Sequence, residues 1–130
     1  GWGARELVAA LVWLVAVGGE SLADRQLARF RADPANRGRT CSTGLWRYSR
    51  HPNYFFEWLH WWAYVVLAAG APLWPLTLAG PALMLFFLLK VTGVPATEAR
   101  ALASRPDYAA YRRTTSAFIP WLPRRERAGD

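Results

Sequence analysis

The chain has 130 residues and a net charge of +7, and 53% of its residues are hydrophobic, including eight Trp. So many apolar residues exclude an intrinsically disordered chain, and the bases form no repeat with stacking aromatics, so no nucleic-acid partner is predicted. No Lys, Arg, Asp or Glu occurs from Trp58 to Leu89, and the core of so small a soluble domain rarely accommodates a neutral run of that length, so the sequence predicts an integral membrane protein.

The first apolar segment predicts a helix over about 3–23, which reaches the ~20 residues that a membrane-spanning helix needs. The chain then becomes polar and basic, which predicts a loop over 24–51. This loop opens with a helical extension through Phe30 and contains the helix breakers Pro34 and Gly38.

The long neutral stretch is divided by Gly70, Pro72 and Pro75. These breakers predict one helix over about 52–69 and another over about 75–91, joined by a tight, uncharged turn. The two helices form a transmembrane hairpin.

Fifteen of the sixteen bases lie in residues 24–53 or from Lys90 onward. Since Lys and Arg accumulate on cytoplasmic loops, the 24–51 loop and the 92–130 tail are predicted to be cytoplasmic, at a bacterial inner membrane. The fold class is therefore all-α: a polytopic membrane helix bundle of about three transmembrane helices plus a C-terminal amphipathic cytoplasmic helix. Residues 1–130 are predicted to be a single membrane domain. Because the chain starts with Gly1 and enters an apolar segment at once, it is expected to be the C-terminal part of a longer protein.

The densest group of reactive side chains lies where the basic loop enters the second helix, in the sequence GLWRYSRHPNYFFE from Gly44 to Glu57. Pro52 suits the first turn of a helix, because its missing N–H would have no partner there. The unpaired backbone donors of that turn, together with Arg50 and His51, predict an anion site of the kind that holds phosphates or carboxylates.

Asn53 and Glu57 follow on one stripe of the second helix, with Tyr54 beside them. An ionisable side chain one turn inside a membrane is costly unless it is paired, so Glu57 is the best candidate for a catalytic residue in this chain. The structural alternative is that Arg50 meets lipid phosphates and that Glu57 only pairs with an Arg.

Two further polar groups flank this segment. Asp24 lies at the inner end of the first helix and can accept hydrogen bonds there, although a solvated helix end is an equal alternative. In the tail, Glu98 lies in the first turn of a predicted helix, and Tyr108 and Tyr111 stand one turn apart on a face that suits a planar ligand or anionic lipid. The sequence has no cluster at metal-ligand spacing, so no metal is predicted.

The 44–57 segment resembles the signature of the steroid 5-alpha-reductase C-terminal domain, and especially of the bacterial membrane proteins similar to it. Two flanking blocks, 24–30 and 92–120, are similar to blocks of that family in the same order. The resemblance implies an NADPH-dependent oxidoreductase that reduces a conjugated carbon–carbon double bond (a CH–CH group) in a lipid-like or steroid-like enone. It also implies that the cofactor site is lined by the following residues: Asp24, Arg50, Asn53, Tyr54, Glu57, Tyr108 and Tyr111. His51 of the predicted anion site and Glu98 of the tail complete the predicted cofactor-binding set.

The chain departs from this family at one position of the signature. The family usually has Gly before the Glu, whereas this chain has Phe56. The close backbone approach that Gly permits at that turn is therefore not expected here.

Isoprenylcysteine carboxyl methyltransferases and phospholipid methyltransferases share the Arg-His-Pro-x-Tyr element and a downstream Glu followed by paired Tyr. Residues 50–54, Glu98, Tyr108 and Tyr111 fit those families too, and their cofactor is S-adenosylmethionine. Asn53 favours the reductase. The expected partners are thus the lipid bilayer and a lipid-like small-molecule substrate, with the methyltransferase as first alternative and a non-enzymatic membrane module as second.

Overall fold

The computed structural model describes residues 3–125, and every regular element in that range is helical. Five α-helices occur, with short 3₁₀ turns between them, in the following order: α1 Ala4–Ala32, α2 Pro52–Ala68, α3 Ala79–Phe86, α4 Gly93–Ser104 and α5 Tyr108–Thr114. The 3₁₀ turns are Pro34–Asn36, Gly44–Arg47 and Trp74–Leu78, and a π-helical turn over Phe87–Val91 joins α3 to α4.

The long helix α1 packs along α2 through small side chains. Ala9, Ala16 and Ala23 recur every seven residues on one face of α1 and are almost completely buried. The last of them, Ala23, packs against Trp46 and Cys41 of the loop. Such residues let two helix backbones approach closely, as is common between membrane helices. This pair of helices forms the main interface of the molecule.

Phe56, which replaces the Gly of the resembled signature, packs against a glycine of the neighbouring helix. A Cβ atom built on Gly19 would lie 2.4 Å from Cε1 of the Phe56 ring. The glycine that permits close approach is thus on α1 and the bulky ring is on α2. The two helices come together at this level despite the departure from the family pattern.

Two helices are long and apolar enough to cross a membrane: α1 and the continuous helical stretch Trp74–Ser104. The second predicted span, α2, has 17 residues and measures about 25 Å, less than the ~30 Å of a bilayer's hydrocarbon core. Within residues 3–125 two helices thus have the length and composition of a membrane span, and the third predicted span is not shown.

The helix boundaries differ from the predicted ones at both ends of the basic loop. Helix α1 continues nine residues past position 23, through the expected extension, until Asp33 and Pro34 end it. Helix α2 begins at Pro52, as the favourable N1 position of proline leads one to expect. The stretch predicted as 75–91 starts in a 3₁₀ turn at Trp74 and, after Thr92, continues directly into α4.

The segment between α1 and α2 folds back on α1 instead of extending into solvent. The Trp46 indole N–H donates to the Ala23 carbonyl at 3.0 Å, and the Leu45 N–H donates to Gln26 Oε1 at 2.9 Å. Gly44 has a φ of 61°, and a Cβ atom there would meet the Gln26 side chain at 2.6 Å. This turn therefore requires glycine for both its conformation and its space.

The other end of the loop is fastened to the turn before α5. Thr40 donates twice to the Asp107 carboxylate, from its backbone N–H at 3.0 Å and from its hydroxyl at 2.7 Å. As a result, the loop, the end of α1 and the helices α4 and α5 enclose a common space.

Candidate functional site

Backbone pairing positions the three residues before α2. The Arg50 N–H donates to the Ser116 carbonyl at 2.8 Å, and the Ser49 hydroxyl donates to the Phe118 carbonyl at 2.7 Å. The Ser49 Oγ in turn accepts from the His51 N–H at 3.1 Å. Arg50 and His51 are thus held at the first turn of α2 by the segment that follows α5.

Glu98 of α4 connects the basic side chains of this site. Its Oε2 lies 3.2 Å from Arg50 Nε and 3.5 Å from His51 Nε2, and it accepts a 2.6 Å hydrogen bond from the Tyr108 hydroxyl. The Arg50 and Glu98 side chains are only 9% and 7% exposed. Arg112, which is half exposed, approaches the other oxygen at 3.9 Å. A buried carboxylate with these neighbours fixes the positions of the cations around it.

The two tyrosines of α5 are buried donors. Tyr111 donates to the Trp46 carbonyl at 2.5 Å, and the Ser49 carbonyl lies 3.1 Å from the same hydroxyl. Burial raises the pKa of the Tyr108 phenol well above its usual range, and the hydrogen bond to Glu98 adds to the shift. Burial likewise raises the pKa of Tyr111, with a contribution from Tyr108. Both phenols therefore remain protonated donors at neutral pH.

These elements enclose a cleft of about 250 Å³. Six of the nine predicted site residues line it: Arg50, His51, Asn53, Tyr54, Tyr108 and Tyr111. The Tyr54 ring stacks on His51 with 5.3 Å between ring centroids, and its hydroxyl is 2.8 Å from Thr97 Oγ1. Glu98 lies behind the wall and acts on the cleft through Arg50, His51 and Tyr108.

Two buried nitrogen atoms beside the cleft face the carboxylate behind its wall. The Arg50 Nε and His51 Nε2 atoms are buried and have no hydrogen-bond partner among the described residues, although both face the Glu98 carboxylate. Since both atoms point to Glu98, which lies behind the wall, they belong to the ion-pair network that supports the cleft. Asn53, also in the wall, uses its Oδ1 to accept from the Tyr54 N–H at 3.0 Å.

A second cavity of about 460 Å³, lined by four Arg and by Asp33, adjoins the first. The two share four lining residues: Leu27, Arg31, Cys41 and Arg105. The second cavity adds Arg37 and Arg39, and none of Arg31, Arg37 and Arg39 has a carboxylate at ion-pair distance within residues 3–125. Together the two cavities form an adjoining space that arginines line in both parts.

Two of the predicted site residues lie elsewhere. Asp24 is exposed on α1, and Glu57 is half buried on α2; neither lines the cleft. Both interact electrostatically with Glu20 of α1, and so does His60. Because α1 remains helical past position 23, Asp24 lies on the exposed surface of that helix and not in the cleft. Glu57 lies one turn beyond Asn53 on α2, outside the cleft.

Several lining residues were not among the predicted site residues, including Arg31, Thr40, Cys41, Thr97 and Arg105. Leu27 and Arg31 are four residues apart, so continuing the first helix would have placed them on one face. For Thr40 and Cys41 the sequence carries no comparable signal, because their positions depend on the loop folding back on α1.

A comparison with known families gives one result. The family model described as "Protein of unknown function (DUF1295)" matches residues 1–115. No curated protein matches the chain, and no solved structure matches it.

Proposed function

We propose that this chain, which belongs to the family DUF1295, binds NADPH in the cleft and takes part in reducing a carbon–carbon double bond of a lipid-like or steroid-like enone. The observation that carries the proposal is the convergence of Arg50, His51, Asn53 and Tyr54 in a cleft that continues into an arginine-rich cavity. An elongated ligand with several phosphates and aromatic ends suits that space.

The membrane arrangement that we propose has three spans. Helix α1 is about 43 Å long and therefore extends past a ~30 Å hydrocarbon core. We infer that its last turns, the loop, the cleft and the tail lie on the cytoplasmic side of a bacterial inner membrane, where bases accumulate. Helix α2 crosses with slight local thinning of the bilayer, and Trp74–Val91 returns.

The residues present suit an NADPH molecule by charge and by unused hydrogen-bonding capacity. Arg31, Arg37 and Arg39 would hold phosphates, since each lacks a carboxylate partner among the described residues. Asn53 and His51 would bond the polar groups of the other end. When bound, NADPH would supply the hydride, and the chain's own residues would bind and orient it.

Glu98 has a positioning role in this account. It does not line the cleft, but it fixes Arg50 and Tyr108, which do. The phenols of Tyr108 and Tyr111 already donate their single hydrogens within the protein, so they hold the wall of the cleft in place. The Arg50 guanidinium, held by the buried carboxylate, is the preorganised donor, and it favours an anionic ligand without moving when the ligand binds.

The second candidate is a methyltransferase that uses S-adenosylmethionine. The observation in its favour is that Glu98, Tyr108, Tyr111 and the 50–54 element, which it shares with the reductase, all meet at one cleft. Charge argues against it, because S-adenosylmethionine has one carboxylate and no phosphate, and it carries a positive sulfonium. One arginine could bind that carboxylate, and the other arginines of the adjoining cavity, which lack a carboxylate partner among the described residues, would have no role.

Thermal unfolding of the full chain in detergent tests the proposal, with NADPH, NADH, S-adenosylmethionine or S-adenosylhomocysteine added. A ligand at about 100 times its Kd stabilises a protein by about 2.7 kcal/mol. We expect NADPH to raise the Tm, and we expect Arg50→Ala and Asn53→Ala to abolish the rise. Arg25→Ala, an exposed change on α1 away from the cleft, is the matched control and should keep it.

If S-adenosylmethionine or S-adenosylhomocysteine raised the Tm and NADPH did not, the methyltransferase would replace the reductase as the proposed function. If none of the four compounds changed the Tm, the non-enzymatic membrane module would be the better account.

A further inference from the structure

The segment after α5 presents an apolar cluster that the cleft does not use. Ile119, Trp121 and Leu122 are 57%, 71% and 72% exposed, whereas Phe118 is only 6% exposed. The neighbouring Arg124 and Arg125 are also exposed. We name residues 119–125 the interface segment.

The exposure of these side chains is fixed by the backbone. The Trp121 N–H donates to the Tyr48 carbonyl at 3.0 Å, and the Arg124 N–H donates to the Thr114 carbonyl at 2.7 Å. The Ile119 carbonyl accepts from the Ser116 hydroxyl at 2.6 Å. The segment is therefore tied at three points while its large apolar side chains point away from the protein.

The position of the segment along α2 defines its level in the membrane. The Phe118 ring packs against Phe55 and Trp58, with centroid distances of 5.7 and 5.5 Å. Both belong to the first two turns of α2, where that helix enters the bilayer in the proposed arrangement. Trp121 and Leu122 thus lie at the boundary between headgroups and hydrocarbon, the level that Trp prefers.

We propose that the interface segment docks on an anionic phospholipid surface. Its apolar side chains enter the boundary region, and Arg124 and Arg125, with the exposed Arg47 nearby in the Tyr48 turn, face the lipid phosphates. Charge complementarity selects an anionic bilayer over a neutral one. This inference rests on the proposed membrane arrangement and is independent of the cofactor.

Docking also supports the cleft from behind. The residues just before the interface segment accept from Arg50 and Ser49 through the Ser116 and Phe118 carbonyls. A segment held in the bilayer keeps these carbonyls in place. The backbone that presents Arg50 and His51 is then steadier in an anionic membrane than in a neutral one.

An environment-sensitive fluorophore tests this directly. The single native cysteine is removed by Cys41→Ser, and a nitrobenzoxadiazole dye is attached at Leu122→Cys in the full chain. The labelled protein is placed in nanodiscs of phosphatidylcholine alone or of phosphatidylcholine with phosphatidylglycerol. We expect emission to shift to the blue in the anionic discs. We also expect iodide quenching to fall there by more than it falls at a control label on Ala35→Cys, because that label reports the repulsion of iodide by the anionic surface. Arg124→Gln and Arg125→Gln should each lower the ratio of inserted to free segment about fivefold. Hydrogen exchange of the peptide containing Arg50 should slow in parallel.

Two control labels separate the possible failures. Leu83→Cys, on an exposed face of α3, reports whether the span itself is in the bilayer, and Ala35→Cys, in the loop after α1, should stay in water. If position 83 is protected while position 122 is quenched equally in both lipids, the docking proposal is overturned and the arrangement stands. If position 122 is protected regardless of lipid charge and of both Arg substitutions, protein covers the segment and the proposal also fails. If position 83 is open to iodide, both fail.

Discussion

Replacing Gly19 by Ala is expected to destabilise the α1–α2 interface, and the adjacent Gly18 provides a control within the same helix turn. A Cβ atom at Gly19 would lie 2.4–2.6 Å from three atoms of the Phe56 ring, about 1 Å inside the optimal 3.5–4.0 Å separation. At Gly18 nothing lies within 4 Å. Both substitutions gain helix propensity of about 1 kcal/mol, but only Gly19→Ala overpacks the interface, which costs about 1–3 kcal/mol.

The measurement is thermal unfolding in detergent, where Gly19→Ala should have a Tm roughly 4–12 °C below that of Gly18→Ala. Repeating the pair on a Phe56→Ala background removes the ring and should bring the two Tm values together. Equal Tm values with Phe56 present, or a difference that persists without it, would refute the contact between Gly19 and this ring.

Two further predictions concern the ties around the cleft. Glu98→Gln leaves the Arg50 guanidinium buried without its counter-charge, and should lower the free energy of unfolding in urea by on the order of 3 kcal/mol; a variant as stable as the parent would show that this ion pair is absent. Asp107→Asn should lower the free energy of unfolding by about 1 kcal/mol at pH 7, because it weakens the two hydrogen bonds from Thr40. Partial burial raises the pKa of Asp107, but those hydrogen bonds lower it more. Since the pKa of Asp107 in the folded protein lies below the usual 3.8, the parent should be more stable than Asp107→Asn by the full amount above about pH 5, and this stability difference should disappear as the pH falls below 4. A stability difference that did not depend on pH would contradict this.

The sequence predicted the helical class and the start of the site for identifiable reasons. Pro52 sets the first turn of α2, and the side chains around it converge because a helix begins there. Tyr108 and Tyr111 reach the same cleft because they are one turn apart on α5. These features depend on local spacing, which a single sequence displays.

What the sequence could not predict depends on contacts between distant parts of the chain. The loop folds back because Trp46 and Gln26 find partners across it, and this brings Thr40 and Cys41 to the cleft. Glu57 was expected at the site because of its place in the motif, yet its side of α2 faces α1. Periodicity assigns such a residue to a face of its helix but does not indicate what that face meets.

The most direct test of the central proposal is calorimetric titration of the full chain in nanodiscs with NADPH, NADH and S-adenosylmethionine. We expect NADPH to bind and NADH to bind more weakly. We also expect the double variant Arg31→Gln/Arg39→Gln to remove most of the difference in affinity between the two cofactors. Heat of binding from S-adenosylmethionine alone, or NADPH binding that is unchanged in the Arg50→Ala variant, would contradict it.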